Sequence, residues 1–279
     1  MADSLGGNAV ASPRELAHIY RKLAGARIRA DWQYRGPFIG YTLTQGLITF
    51  LDFVQIAVIF NQVDQLAGWS VAEVAFLYGA SSIAFHVGDA FISQCERAPQ
   101  RVKSGEFDLL LIRPVPTLFH LCADDFAFRR FGKLIQSVVV FATALVVLDI
   151  DWSVAKVGML VVMLISGTAI FAAVWVTTSA VAMWMIDATE IMNSFTYGSS
   201  FAAQYPLPVM AKWLRHFLTF VVPAAFVSYF PALFILDKPD PFGTPAWIRF
   251  AGPAVAVVLM LVARTTWSAA IRHYRSTGS

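Results

Sequence analysis

The chain has 279 residues, 57% hydrophobic and only 14% charged, with a formal net charge of +3. Soluble domains carry about 25% charged residues, so the composition excludes an ordinary soluble domain and predicts an all-α polytopic membrane protein. Alternating segments of roughly ten residues are absent, which excludes a transmembrane β-barrel.

Residues 1–11 are small and polar, with no basic n-region or apolar h-region, so they read as a disordered N-terminus rather than a cleavable signal peptide. Ser12, Pro13 and Glu15 then fit N-cap, N1 and N3 of a capping box. Leu16, Ile19, Tyr20 and Leu23 follow at helical spacing; Arg14, Arg21, Lys22 and Arg29 lie on or near the other side, and Arg27 interrupts the apolar stripe. The pattern predicts a basic interfacial helix over 12–36 on the anionic face of a membrane.

A six-span transmembrane region is expected over 37–266, followed by a cytosolic tail over 267–279. Its clear spans are Pro37–Phe60, Val71–Ser93, Leu134–Leu148, Val154–Ile186 and Ala246–Val262, against the ~20 residues a crossing needs. The third is short unless Phe131–Lys133 extend it, and the fourth is long enough to tilt or emerge. Between Asp187 and Asp237 two readings stand. Either His216–Leu236 is the fifth span, interrupted by Pro223 and Pro231, or Asp187–Tyr205 crosses and Pro206–Leu236 forms a broken hairpin. Hydropathy alone prefers the first.

Basic residues orient the chain. Six precede span one, and Arg97, Arg101, Lys103, Arg113, Arg129, Arg130 and Lys133 lie between spans two and three. Arg264, Arg272 and Arg275 close the chain, while the opposite loops hold Asp64, Asp149, Asp151, Asp237 and Asp240. Both termini and the Gln94–Lys133 connection are therefore expected in the cytosol, with Cys95 and Cys122 in that connection and unlinked.

Within the connection, Ser104 is suited to N-cap a short helix with Glu106 and Asp108 near its positive end, Arg113 near its negative end and Pro114 as a stop. Phe107, Leu110 and Leu111 form its apolar face. Pattern alone leaves two outcomes level: a knob for a groove in another protein, or an interfacial helix sunk in lipid. A second helix, Leu118–Arg130, reads as a solvated face.

Span one carries Thr42, Gln45, Thr49, Asp52 and Gln55; span two carries Ser82, His86, Asp89 and Ser93 at i, i+4, i+7 and i+11. Such groups at bilayer depth line a wet path or fix helix packing; the two are even for Asp52, and packing is favoured for Asp89. Trp175 is suited to line a cavity, and Trp184 to anchor at the interface. His86 and Asp89 are too few ligands for a metal. No G-x-x-x-x-G-K-[ST], G-x-S-x-G or H-E-x-x-H occurs, so neither a P-loop nor a hydrolytic site is visible.

Ser104-Gly-Glu-Phe-Asp-Leu-Leu-Leu-Ile-Arg-Pro-Val-Pro116 resembles the cytosolic motif of ABC-2-type transport permeases, in the six-span branch with viologen and drug exporters. Gly68–Tyr78 resembles that family's start of span two. Tyr205-Pro-Leu-Pro-Val and Leu218–Pro231 resemble its late proline-rich segment, and Tyr274-Arg-Ser-Thr-Gly-Ser279 resembles its ending. The resemblance implies an export subunit that is not itself an enzyme and holds no cofactor, with ATP and Mg on two partner ATPase subunits. It implies a second permease copy or related chain, a multi-pass place in the cell membrane, and no nucleic acid.

By the same resemblance, residues 187–203 are span five and 206–230 an extracellular hairpin. Ser104, Glu106, Phe107, Asp108, Leu110, Leu111 and Arg113 become the ATPase-coupling element. Asp52, Gln55, Trp175, Glu190 and Tyr197 are the expected substrate path, for an amphipathic or cationic small molecule or a lipid-like one. The rival readings are an ion-coupled secondary transporter, which would favour inverted repeats, and a non-transporting assembly protein.

Overall fold

The computed structural model describes residues 65–113, 115–124, 130–185 and 189–274, with scattered positions between 14 and 58. The described positions of the expected interfacial helix and first span are helical, and Ile39, Leu43, Leu47, Leu51 and Val58 among them are exposed. The Ser12 cap and the polar side of span one, Asp52 and Gln55 included, lie outside the described residues. Among the described residues there is no strand, only an isolated bridge between Leu66 and Trp69.

Helix α1 (Val71–Phe91) opens with a capping box: the Ser70 hydroxyl accepts from the Glu73 amide, and the Glu73 carboxylate accepts from the Ser70 amide at 2.7 Å. This S-x-x-E signature was legible in the sequence. Three short elements follow: a 3-10 turn (Ser93–Arg97), α2 (Ala98–Lys103) and α3 (Phe107–Leu111). Then come α4 (Thr117–Asp124), α5 (Phe131–Val147) and α6 (Val154–Trp184), the last capped by the Ser153 hydroxyl. The boundaries of spans two to four thus fall close to those expected, with Phe131–Lys133 extending the third.

Helices α1, α6 and α7 (Thr189–Ala202) pack together, α5 lies against α1, and α10 (Gly252–Arg272) against α6. At 1.5 Å per residue, the 31 residues of α6 span roughly 46 Å, beyond the ~30 Å hydrocarbon core. Among the described residues three helices, α1, α6 and α10, are long and apolar enough to cross a membrane.

The last span differs from expectation. Ala246–Phe250 is a separate 3-10 turn, and the long helix runs from Gly252 to Arg272. Pro253 sits in its first turn, where the missing N–H costs nothing, so the helix starts there.

The region favoured by hydropathy as a fifth span is not a continuous helix. Helix α8 (Lys212–His216) continues as a π turn to Val221, then breaks, and the segment Ala224–Ile235, which includes α9 (Tyr229–Ile235), leaves at 77°. Pro223 pushes Val222 out of the helical region, to φ −118° and ψ 89°. The buried Ser228 hydroxyl donates to the Ala203 carbonyl at 2.6 Å, tying the bend to the end of α7.

Helix α9 ends in a left-handed residue, Asp237 (φ 51°), with the Lys238 amide bonded back to the Leu233 carbonyl at 3.0 Å, a Schellman closure. That turn sends Asp237 to Lys156 at the start of α6 and Lys238 to Glu73 at the start of α1, the latter at 2.7 Å. The starts of α1 and α6 therefore meet this loop at one end of the bundle, called here the capped end. Their other ends converge near Glu96.

Candidate functional site

The polar stripe of span two continues past the helix. Asp89 and Ser93 are followed by Glu96 at the next matching position, and these residues organise the Glu96 end. The Ser93 hydroxyl donates to the Asp89 carbonyl at 2.7 Å. Arg130 reaches across from the start of α5, and its Nη1 donates to the Asp89 carboxylate at 2.8 Å and carbonyl at 2.6 Å, and to Ser93. Asp89 thus has a packing role, as expected. The expected solvated face around Arg130 is a correction: Arg130 is drawn inward because Asp89 needs a cation.

Glu96 lies beyond α1 in the 3-10 turn. Its carboxylate accepts from the Trp175 indole N–H and from the Tyr197 hydroxyl at 3.3 Å. Burial pushes its carboxyl above the ordinary carboxylate range, and the Asp89 charge adds to that; the bonds from Trp175 and Tyr197 and the Arg130 charge pull the other way. Around it Phe85 lies 4.5 Å from Trp175 and 5.6 Å from Tyr197 by ring centroid. Gly88 permits this, since a Cβ there would stand 2.8 Å from the Trp175 ring.

Trp175 does not face an open path in this structure. It is fully buried, because its ring fills the gap at Gly88 and its one polar atom is satisfied by Glu96. Tyr197 and Glu190 are both exposed, seven residues apart and so on one face of α7. Tyr197 is thus the expected path residue that joins Trp175, its ring lying edge-on 6.3 Å from the indole by centroid. Glu96, which unites the two aromatics, was missed by sequence reasoning, although it extends the stripe of span two.

Neighbouring thiols are structural. The Ser179 hydroxyl donates to Cys95 at 3.3 Å. Burial raises the Cys95 thiol well above its ordinary value and pushes Cys122 up to about 12, so both stay protonated at neutral pH.

The segment after Glu96 departs from expectation at Ser104. This residue closes α2 instead of opening α3: its amide bonds the Gln100 carbonyl at 3.0 Å and its hydroxyl the Arg101 carbonyl at 3.3 Å. Gly105, at φ +74°, makes the left-handed turn that ends α2. Helix α3 then begins after Glu106 without a side-chain cap and spans little more than one turn.

The expected apolar face of α3 divides. Phe107 and Leu110 are buried in the subunit's own core, and the Phe107 ring packs 5.1 Å from Tyr274. Two stretches far apart in sequence, each carrying the family resemblance, therefore meet. Leu109, Leu111 and Ile112 are exposed, at 58%, 38% and 78%. Glu106 is exposed, Asp108 half-buried, and Arg113 bonds the His120 ring.

Among the described residues no three His, Cys, Asp or Glu side chains gather as metal ligands. The sequence model of a family described as "ABC-2 family transporter protein" matches residues 47–278. No curated protein and no solved structure matches the chain.

Proposed function

The chain belongs to the ABC-2 transporter family, and from that premise we propose that it is the permease subunit of an ATP-driven exporter. The chemistry of ATP hydrolysis belongs to two partner ATPase subunits, which hold ATP and Mg, and a second copy or related permease completes the membrane domain. The observation that carries this reading is the division of α3. Phe107 and Leu110 anchor the helix to the subunit, while Glu106, Leu109, Leu111 and Ile112 face outward.

That arrangement suits a lever. Leu109, Leu111 and Ile112 present apolar contacts to a groove, with Glu106, Asp108 and Arg113 setting its charge complementarity. Force on α3 passes through α2 and the Glu96 turn, both packed against α6. Closure of the ATPases on ATP would shift this unit and rock the spans between inward and outward access.

The substrate path in this reading runs along α7 past Glu190 and Tyr197, with Asp52 and Gln55 supplying polar groups from span one. Residues 206–230 form an extracellular re-entrant hairpin, which the 77° break and the tie from Ser228 to Ala203 support. The substrate is an amphipathic or cationic small molecule or a lipid-like compound, and both termini lie in the cytosol of a cell whose membrane the chain crosses several times.

The decisive experiment replaces Glu106 or Asp108 with Lys in the assembled transporter. Substrate-stimulated ATPase activity and transport should fall at least tenfold while the subunit still reaches the membrane. Normal coupling in both variants would refute the role of α3. For the path, Asp52→Asn with Glu190→Gln should change transport and substrate stimulation together; an unchanged pair removes that assignment. A Cys at Lys212 that reacts only from the cytosol would exclude the extracellular hairpin.

A further inference from the structure

Helix α8 and its π turn place Lys212, Arg215, His216 and Thr219 at i, i+3, i+4 and i+7, on one face. That face walls an open cavity of about 310 Å³ at the capped end, lined further by Leu207, Phe220, Phe230, Phe242 and Thr244. The cavity joins positive charge and two threonines to an otherwise mainly aromatic lining.

The cations in it are not consumed by the fold. Among the described residues neither Lys212 nor Arg215 has a carboxylate within ion-pair distance. Arg215 is held by the Phe242 ring, 4.5 Å from its guanidinium carbon, which orients it without neutralising it. Asp240, in the loop beside the cavity, already accepts from the Phe242 and Thr244 amides, at 3.0 Å each, and from the Thr244 hydroxyl.

We infer that this cavity binds a phosphate ester carrying an alkyl chain, with the phosphate on Lys212 and Arg215 and the first methylenes against Phe220, Phe230 and Phe242; His216 is turned back on its own helix, its Nδ1 donating to the Lys212 carbonyl at 2.7 Å. Several donors converging from one helix face suit the multiple oxygens of a phosphate, and Arg supplies a fork matched to it. The volume is at the lower limit of ligand pockets: it admits a head group and the carbons next to it, and the rest of the chain must leave into lipid. Trp213, 71% exposed beside the cavity, is the residue type that lies at a membrane–water interface, and Phe220 on the cavity wall is 77% exposed. The same chemistry describes an anionic phospholipid of the bilayer and a free amphiphilic phosphate, and the inference does not depend on ATPase coupling.

The test uses the full chain in nanodiscs of zwitterionic phosphatidylcholine, doped with brominated phosphatidylglycerol or brominated phosphatidylcholine. The signal is quenching of Trp213, taken as the difference between wild type and Trp213→Phe. Phosphatidylglycerol should reach half-maximal quenching at about a tenfold lower mole fraction. Lys212→Ala with Arg215→Ala should erase that preference, and Lys212→Arg with Arg215→Lys should retain most of it, which controls for folding. Equal quenching by the two lipids in wild type, or a preference that survives removal of both charges, overturns the site. Titration with a short-chain alkyl phosphate separates the sources. Displacement of the lipid by it, but not by sodium phosphate, assigns a free amphiphile; no displacement by either assigns the bilayer lipid. Displacement by sodium phosphate alone overturns the requirement for an apolar chain.

Discussion

At the Glu96 end Arg130 is bonded to Asp89 and Ser93, and Glu96 is held by Trp175 and Tyr197. At the capped end Lys156 and Lys238 are paired in the same manner, with Asp237 and Glu73, yet Lys212 and Arg215 line a cavity with no carboxylate within ion-pair distance among the described residues. A buried charge without a partner is costly, so the paired groups are explained by folding alone. An exposed Lys212 and a half-buried Arg215 on an open cavity wall cost the fold little and stabilise it little. Their place is then a matter of what the cavity binds.

Substitutions at the two ends test that difference. Trp175→Ala should be the most damaging, at about 3–5 kcal/mol, because it opens a cavity against Phe85 and removes a donor from Glu96; thermal unfolding in detergent would read it. Arg130→Ala should cost about 2 kcal/mol, with part recovered by adding Asp89→Asn, which removes the stranded carboxylate. Lys238→Ala should cost about 1 kcal/mol, since Lys238 also bonds the Gly68 carbonyl and lies over Trp69.

Glu96 predicts a pH slope. Its carboxyl is raised in the folded protein, chiefly by burial, so between its ordinary range and the raised value the folded state holds more protons than the unfolded state. Its contribution therefore falls as pH rises through that window. Glu96→Gln should flatten the decline of melting temperature with rising pH; an unchanged slope would mean that Glu96 does not titrate there. The smallest effect belongs to Lys212→Ala with Arg215→Ala, which should alter stability by no more than about 0.5 kcal/mol. A loss near that of Arg130→Ala would make the two ends alike and assign these cations to the fold.

Much of the architecture was legible because helices declare themselves locally. Continuous apolar runs marked α1, α5 and α6 to within a few residues, and Pro223 marked the break. The Ser104 cap failed because one glycine changed the meaning of its neighbour: with Gly105 left-handed, Ser104 ends a helix rather than beginning one. The last span was displaced for a similar reason, with Pro253 fixing a start that hydropathy does not see.

The sequence by itself determined the membrane class, the helix-forming segments and the motifs that carry the family. These depend on composition, periodicity and local backbone preference, which act over a few residues. The tertiary structure decided which side of α3 is buried, that Trp175 fills the core, that Arg130 serves Asp89, and that Glu96 gathers two aromatics. Those outcomes depend on side chains 41 to 167 residues apart meeting in space. A stripe on one helix records that polar groups face inward, but the partners that satisfy them are set by how the helices pack.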